Sequence, residues 1–288
     1  MLAFEAGYVG NHGVGILGNR NINAALVPGT GAASQPLNQK FGRRASTGTW
    51  VPTGSHYQSL QVKLDRRFSD GFALTTAYTY GKAINFMDNN GGFHIPAVMA
   101  VNRGRAGFDT THVYVQSFVY ELPFGPKGRW AQAGLQRWLL GDWQVSGVFY
   151  AYTGQPLGIT YSAATLNAPG NNNRPDVNGT PEIYGAVGRG AKWFDATKFS
   201  APPPNTYGNV GRNVLGGPGM VGLDFALFRR FPVIKERLSG ELRMESFNFT
   251  NTPHFSNPSG DFGGASFGEV TGAAADQRTF QFALKLVF

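Results

Sequence analysis

The chain of 288 residues contains no cysteine. That absence excludes a disulfide scaffold, thiol catalysis and Cys-ligated zinc or iron–sulfur centres. There is no run of ~18 apolar residues, so no helix of the chain can cross a bilayer. The opening MLAFEAGYVG has neither the basic start nor the apolar core of a secretory signal. Helical periodicity is almost missing as well. The best stretch, AQAGLQRWLL at 131–140, predicts no more than a short helix on the turn side. No Asp or Glu occurs between Glu5 and Asp65. What is abundant is glycine, 40 residues, about twice the usual ~7%. With 17 prolines this still falls short of a low-complexity chain, and 42% hydrophobic and 14% aromatic residues supply material for burial.

Period two replaces period 3.6. Phe280, Phe282, Leu284, Leu286 and Phe288 are large and apolar, whereas Thr279, Gln281, Ala283, Lys285 and Val287 are mostly small or polar. Leu223, Phe225, Leu227 and Phe231 alternate in the same way, as do Leu60, Val62, Leu64 and Phe68. Such alternation marks strands with two unlike faces. Eight strands are expected, at about 2–9, 56–68, 71–82, 112–122, 142–154, 220–231, 237–249 and 277–288, the fourth and fifth with an uncertain facing. Their connections alternate long and short: 10–55, a turn at Ser69 and Asp70, 83–111, about twenty residues from Pro123, 155–219, 232–236 and 250–276. Short turns at one end and long loops at the other are the signature of an outer-membrane β-barrel. A soluble sandwich keeps its loops near a median of ~4–6 residues.

Two environments could give this alternation. A soluble antiparallel sheet would bury one face in a core, whereas a membrane barrel turns its apolar face to lipid. The polar positions favour a wet interior: Lys63, Asp65, Arg67, Glu241, Arg243 and Glu245 are expected to face the lumen, where they are candidates for ligand contact. Aromatic residues expected at strand ends, among them Tyr57, Phe72, Tyr80, Tyr120, Trp143, Tyr152 and Phe231, suit interfacial girdles.

Other motifs carry little chemistry. Gly13-Val14-Gly15-Ile16-Leu17-Gly18 matches G-x-G-x-x-G, but neither a helix nor an acidic residue follows, so the glycines read as an outer loop. The five histidines lack the close pair spacing of a zinc site, and no metal or cofactor is expected. Ser55 beside His56, and Ser117 near His112, lack an Asp to orient the histidine, so no catalysis is expected. The net charge of +8 is scattered in pairs such as Arg66-Arg67 and Arg229-Arg230, which suits head groups better than nucleic acid. In the longest loop, the Asn-rich stretch 167–178 reads as a hydrated surface segment, and Trp193, Phe194 and Tyr207 are candidate exposed aromatics for a ligand such as a glycan.

Several strings resemble a family. FEAGYVGNHG (4–13), HYQSLQVKLDRRFSDGFALTTAYTYGKA (56–83), HVYVQSFVYELPFG (112–125), GDWQVSGVFYAYTGQPL (141–157) and ELRMESFNFTNTPHFSNP (241–258) look like the C-terminal barrel of a TonB-dependent receptor. The nearest branch is the Oar-like one, which carries a carboxypeptidase-regulatory-like domain. The likeness touches every strand, and its specificity lies in the order of the strings. It implies an all-β, antiparallel transmembrane barrel segment over 1–288, a bacterial outer-membrane location, and TonB-driven uptake of a ligand through long outer loops. It also implies lipid, an N-terminal plug domain, TonB and the outer-membrane assembly machinery as partners. Phe280, Phe282, Leu284, Leu286 and Phe288 would then form the assembly signal. No string like the plug appears, so the chain is expected to be part of a longer protein. Siderophore, glycan, cobalamin and peptide all remain open as ligands. Eight strands could close a small side-chain-filled barrel or stay an open sheet. The alternative is a soluble secreted β module that binds glycan or matrix.

Overall fold

The computed structural model describes residues 1–288 except 89–91, 127, 235–237 and 276. Eight long strands form one antiparallel meander: β1 (Leu2–Asn21), β2 (Gly48–Ser69), β3 (Phe72–Asn85), β4 (His112–Glu121), β5 (Trp143–Tyr152), β6 (Met220–Ile234), β7 (Leu238–Phe247) and β8 (Thr279–Val287). Each pairs with its neighbours in sequence, and β1 and β8 remain the two edges, so the sheet is open. A two-residue piece, Gly104–Arg105, pairs off β3 at Ile84 and Asn85. Strands β4, β5 and β7 are 10 residues long and β8 is 9. A tilted strand crosses a bilayer in about that length, ~9–11 residues.

The β2–β3 turn falls one residue later than expected, at Asp70 and Gly71, because Ser69 pairs with Phe72. Both turn residues have positive φ, 54° and 75°. Asp-Gly is the pair that tolerates a type I′ turn, whose twist matches that of the flanking strands. The second short connection, expected at 232–236, and the expected strand start at 237 lie partly outside the described residues; Ile234 pairs with Leu238 across it.

The first hairpin corrects the expected strand ends. The loop expected at 10–55 shrinks to 22–47, since β1 continues through the glycine-rich string to Asn21 and β2 starts at Gly48. Gly15 (φ 72°) sits at a bulge where the register slips between Val14 and Ile16. The glycines of G-x-G-x-x-G are therefore strand residues: one absorbs the bulge and the rest keep the ladder with the Thr- and Val-bearing start of β2. His12 stacks on His56 across this hairpin, with ring centroids 4.2 Å apart.

At the opposite end from Asp70-Gly71, the segments 22–47, 86–111, 153–219 and 248–278 gather into a cap. It includes α1 (Pro36–Phe41) and holds two clusters of buried hydrophobic residues. One buried cluster joins Leu157, Ile159, Phe194, Phe199, Leu215 and Phe267; a second joins Ala25, Leu166 and Ala168. The connection 122–142, on the turn side, carries α2 (Gly134–Leu140) within the stretch expected to be helical.

Candidate functional site: a polar wall and a locked cap

The strand register sorts side chains onto two faces. Glu5 pairs with Lys63, Lys63 with Ala77, Ala77 with Val115, Val115 with Tyr150 and Tyr150 with Gly222. Two residues on in β6 is Asp224, then Ala226, which pairs with Glu245, which pairs with Gln281. Directly paired residues share a face, so Lys63, Asp65, Glu241, Arg243 and Glu245 lie on one face, and alternation puts Arg67 with them. The same ladder settles the facing of β4 and β5. Val113, Val115, Ser117 and Val119 share the polar face with Ser146, Val148 and Tyr150.

The charged candidates form two groups. On β2, Lys63 Nζ lies 2.5 Å from Asp65 Oδ2, while Thr75 Oγ1 donates to Asp65 Oδ1 at 2.8 Å. On β6 and β7, Arg230 Nε donates to Glu241 Oε2 at 2.8 Å, Arg243 Nη2 to Glu241 Oε1 at 2.8 Å, and Arg243 Nη1 to Glu245 Oε1 at 3.4 Å. Arg230 and the opposite Lys285 complete this second group and were not among the candidates. Five strand spacings of ~4.8 Å, about 24 Å, separate β2 from β7, so the two groups share a face without touching. Lys63, Asp65, Arg230, Glu241, Arg243 and Glu245 each have a counter-charge beside them, as a water-filled wall can hold at little cost.

The other face carries Phe4, Tyr8, Leu60, Leu64, Tyr78, Phe149, Leu223, Phe225 and Phe282, with Leu284 and Leu286 at its edge. Many of these are more than 40% exposed, including Phe4, Tyr8, Leu60, Phe282 and Leu284. Phe72 and Tyr80 sit on it eight residues apart, about 27 Å along the strand at ~3.4 Å per residue, on the scale of the ~25 Å apolar band of a barrel. Tyr57 and Tyr152 do not join such a girdle: pairing with Ala83 and with Val113 puts both on the polar face. The same ladder places His112, opposite Tyr80, on the apolar face and Ser117, opposite Thr75, on the polar one. They cannot act as a nucleophile and its base.

The cap corrects the reading of the longest loop. Phe194 is fully buried, edge-to-face with Phe199 and Phe267 at 5.5 and 5.3 Å. Trp193 packs on the same cluster and donates from Nε1 to Gly216 O at 2.9 Å. Tyr207 packs against Ala25, Leu166 and Ala168, and its hydroxyl is buried. Phe194 is core and Trp193 and Tyr207 are half-buried against it or its neighbouring cluster, because the loops 22–47, 153–219 and 248–278 meet around them. Of the Asn-rich stretch, Asn167, Asn172 and Asn178 are exposed as expected, whereas Asn171 and Asn173 are buried. Asn171 Nδ2 donates to Ala25 O at 2.8 Å and its Oδ1 accepts from Ala97 N at 3.0 Å. Asn173, with no exposed surface, accepts from Arg174 N and Gly208 N. Asn23 and Asn102 play the same part: Asn102 accepts from Ile95 N and donates to Ile95 O, both at 2.9 Å. An amide offers two donors and two acceptor lone pairs, so it satisfies irregular backbone that no ladder serves.

Charges lock the same loops. Arg212 Nη2 lies 2.6 Å from Asp88 Oδ2, and Asp88 also accepts from Gly107 N. Burial pushes the Asp88 carboxyl up, but hydrogen bonds from Asn85 and Gly107 and the charge of Arg212 outweigh it and hold it below the usual range. Burial holds the His94 imidazole below its ordinary value, against the hydrogen bond to Asn173 O. Arg174 is buried with its Nη1 donating to Val101 O and Val210 O; burial brings its pKa down to about 10, still charged at neutral pH. Lys192 holds Glu269 below the carboxylate range at 3.1 Å.

Two hollows adjoin these elements. One of about 490 Å³ in the cap is lined by Asn19, Asn21, Asn171, Asn172 and Phe93, among others. A larger one of about 990 Å³ opens at the turn end beside Glu121, Arg129, Trp130, Asp142 and Arg230. Among the described residues, no three His, Asp or Glu side chains come together as a metal site would require. No helix is long and apolar enough to cross a membrane, which says nothing of strands. Comparison with curated proteins and with solved structures finds no match. The two-faced antiparallel wall is nonetheless what the family comparison describes: the model of the outer membrane beta barrel domain matches residues 1–281, so the chain belongs to that family and resides in the outer membrane.

Proposed function

We infer that the chain is wall and outer cap of a TonB-dependent receptor, taking up a ligand without catalysis. Three things support the reading: the order of the receptor-like strings, the charged residues that β2, β6 and β7 turn to one face, and above all the sheet that leaves β1 and β8 unpaired. An unpaired strand edge in lipid would leave backbone groups unsatisfied, so the edges call for further wall. In this reading the plug domain rests against the polar face near Glu241 and Arg243, TonB supplies the energy, and the assembly machinery reads the apolar residues from Phe280 to Phe288. The amide-lined hollow of the cap is where a polar ligand would first be held. The soluble secreted module loses its footing with the outer-membrane family.

The absence of cysteine makes the test clean. With Phe4→Cys or Tyr8→Cys on β1 combined with Leu284→Cys on β8, oxidation in outer membranes is expected to give no intramolecular cross-link. A β1–β8 disulfide would show eight strands closed on themselves and overturn the receptor reading. Co-purification of TonB with the protein from solubilised outer membranes is the positive expectation.

A further inference from the structure

The connection 122–142 lies at the turn end, away from the cap, and every residue of α2 is exposed. Leu135, Trp138 and Leu139 fall at i, i+3 and i+4, one helical face, and are 71, 67 and 49% exposed. Seven residues make a helix too short to persist in water by itself. Something apolar must cover this face.

Three features identify the cover. First, α2 is tied to the apolar side of the wall. Trp143 stands on that face, opposite Arg229, and its Nε1 donates to Leu139 O at 3.0 Å. Second, the strand ends beside it carry Phe72, Tyr120 and Trp143. Arg66 lies 5.1 Å from the Phe72 ring centre and Arg229 lies 5.7 Å from that of Trp143. Aromatic rings capped by arginine at the end of a lipid-facing wall mark the head-group level. Third, Arg129 and Arg137 give the connection a basic balance against Asp142, which suits anionic head groups.

We propose that α2 is an interfacial helix. It lies in the plane of the membrane at the turn-end leaflet, with Leu135, Trp138 and Leu139 in the acyl boundary and Arg137 reaching the head groups. The occupant is the lipid surface itself, continuous with the lipid that covers the wall. The inference rests on the apolar face of the wall being the lipid-facing one.

Single cysteines at Leu135→Cys, Trp138→Cys, Phe282→Cys and Tyr184→Cys, each carrying an environment-sensitive fluorophore, test it in the full chain within bilayers containing brominated lipid. Phe282 reports the wall and Tyr184 the cap. Labels at 135 and 138 are expected to be quenched by brominated lipid several-fold more than the label at 184, and to be shielded from aqueous iodide. Quenching at 282 with iodide-accessible labels at 135 and 138 would overturn the interfacial helix and leave the wall intact. Labels at 135 and 138 shielded from both quenchers would also overturn it, pointing to a protein partner. If 282 itself followed 184, the facing of the wall would fall, and the helix assignment with it.

Discussion

The wall and the cap solve the burial problem in opposite ways. In the wall the backbone is satisfied by eight strands in register, while side chains on both faces project away from the protein. Its largest apolar residues, Phe4, Phe282 and Leu284 among them, are exposed. In the cap there is little ladder, yet Phe194, Leu166 and Ile95 are wholly or almost wholly buried. The wall uses lipid as its core and regular pairing as its frame. The cap uses its own loops as core and amide side chains as frame. Stability therefore resides in different chemistry at the two ends of the same strands, and the two should fail separately.

The sharpest break is Phe194→Ala. Removing a ring enclosed by Phe199 and Phe267 should cost about 3–5 kcal/mol. The cap loops should become protease-sensitive in outer-membrane vesicles while the heat-modifiable gel mobility of the wall is kept. The converse is Leu284→Arg, near the centre of β8, expected to cost about 2–4 kcal/mol if it meets the bilayer midplane. It should lower the fraction assembled in the membrane before it alters the cap. Next comes Asn102→Ala, which strands the amide and carbonyl of Ile95 and should cost about 1–3 kcal/mol, read again as cap proteolysis.

Acidification should act on the cap first. His94 is held low by burial, so its neutral form belongs to the fold, and stability declines as pH falls below the ordinary value of ~6.5. Asp88 is held low by its donors and Arg212. Its contribution is present above the ordinary carboxyl value of ~3.9 and is lost as pH falls through its lower folded value. Cap protease resistance should therefore weaken in two stages, the first as pH falls below ~6.5 and the second below ~3.9, with wall mobility unchanged through the first. Simultaneous loss of both would show one cooperative unit and erase the contrast. The smallest effect belongs to Lys285→Arg on the polar face, expected to be nearly silent in every assay; a large loss would reverse the facing of β8.

The wall was legible in the sequence because period two is a local signal. Phe280 to Phe288, and Lys63 with Asp65, show their faces within one strand. Where the pattern was broken, the reading failed at its edges. Glycines at 13, 15 and 18 looked like a loop because no alternation survives there, although only Gly15 marks a true irregularity. The turn slipped by one residue because Asp70-Gly71 and Ser69-Asp70 differ only in which pair takes positive φ. The cap was illegible for a different reason. Asn171 bonds a carbonyl 146 residues away in the chain. Nothing local distinguishes such an asparagine from a solvated one. The signal lay in composition, since asparagine is concentrated in the cap segments, which are too long to be idle.

The unequal strand lengths carry one more consequence. β1 has 20 residues and β2 has 22, twice the length of β4, β5 or β7. At ~3.4 Å per residue β1 is about 68 Å long, and a tilt of ~40° still leaves roughly 50 Å of height against an apolar band of ~25 Å. Half of this hairpin must stand clear of the bilayer as a stalk, with Val14 and Trp50 in open water. From the outside, the molecule is a tower rather than a rim. An antibody or a large solute arriving from the medium would meet the far end of this stalk, joined to the cap where Asn19 pairs with Gly92, well before it reached the level of the lipid.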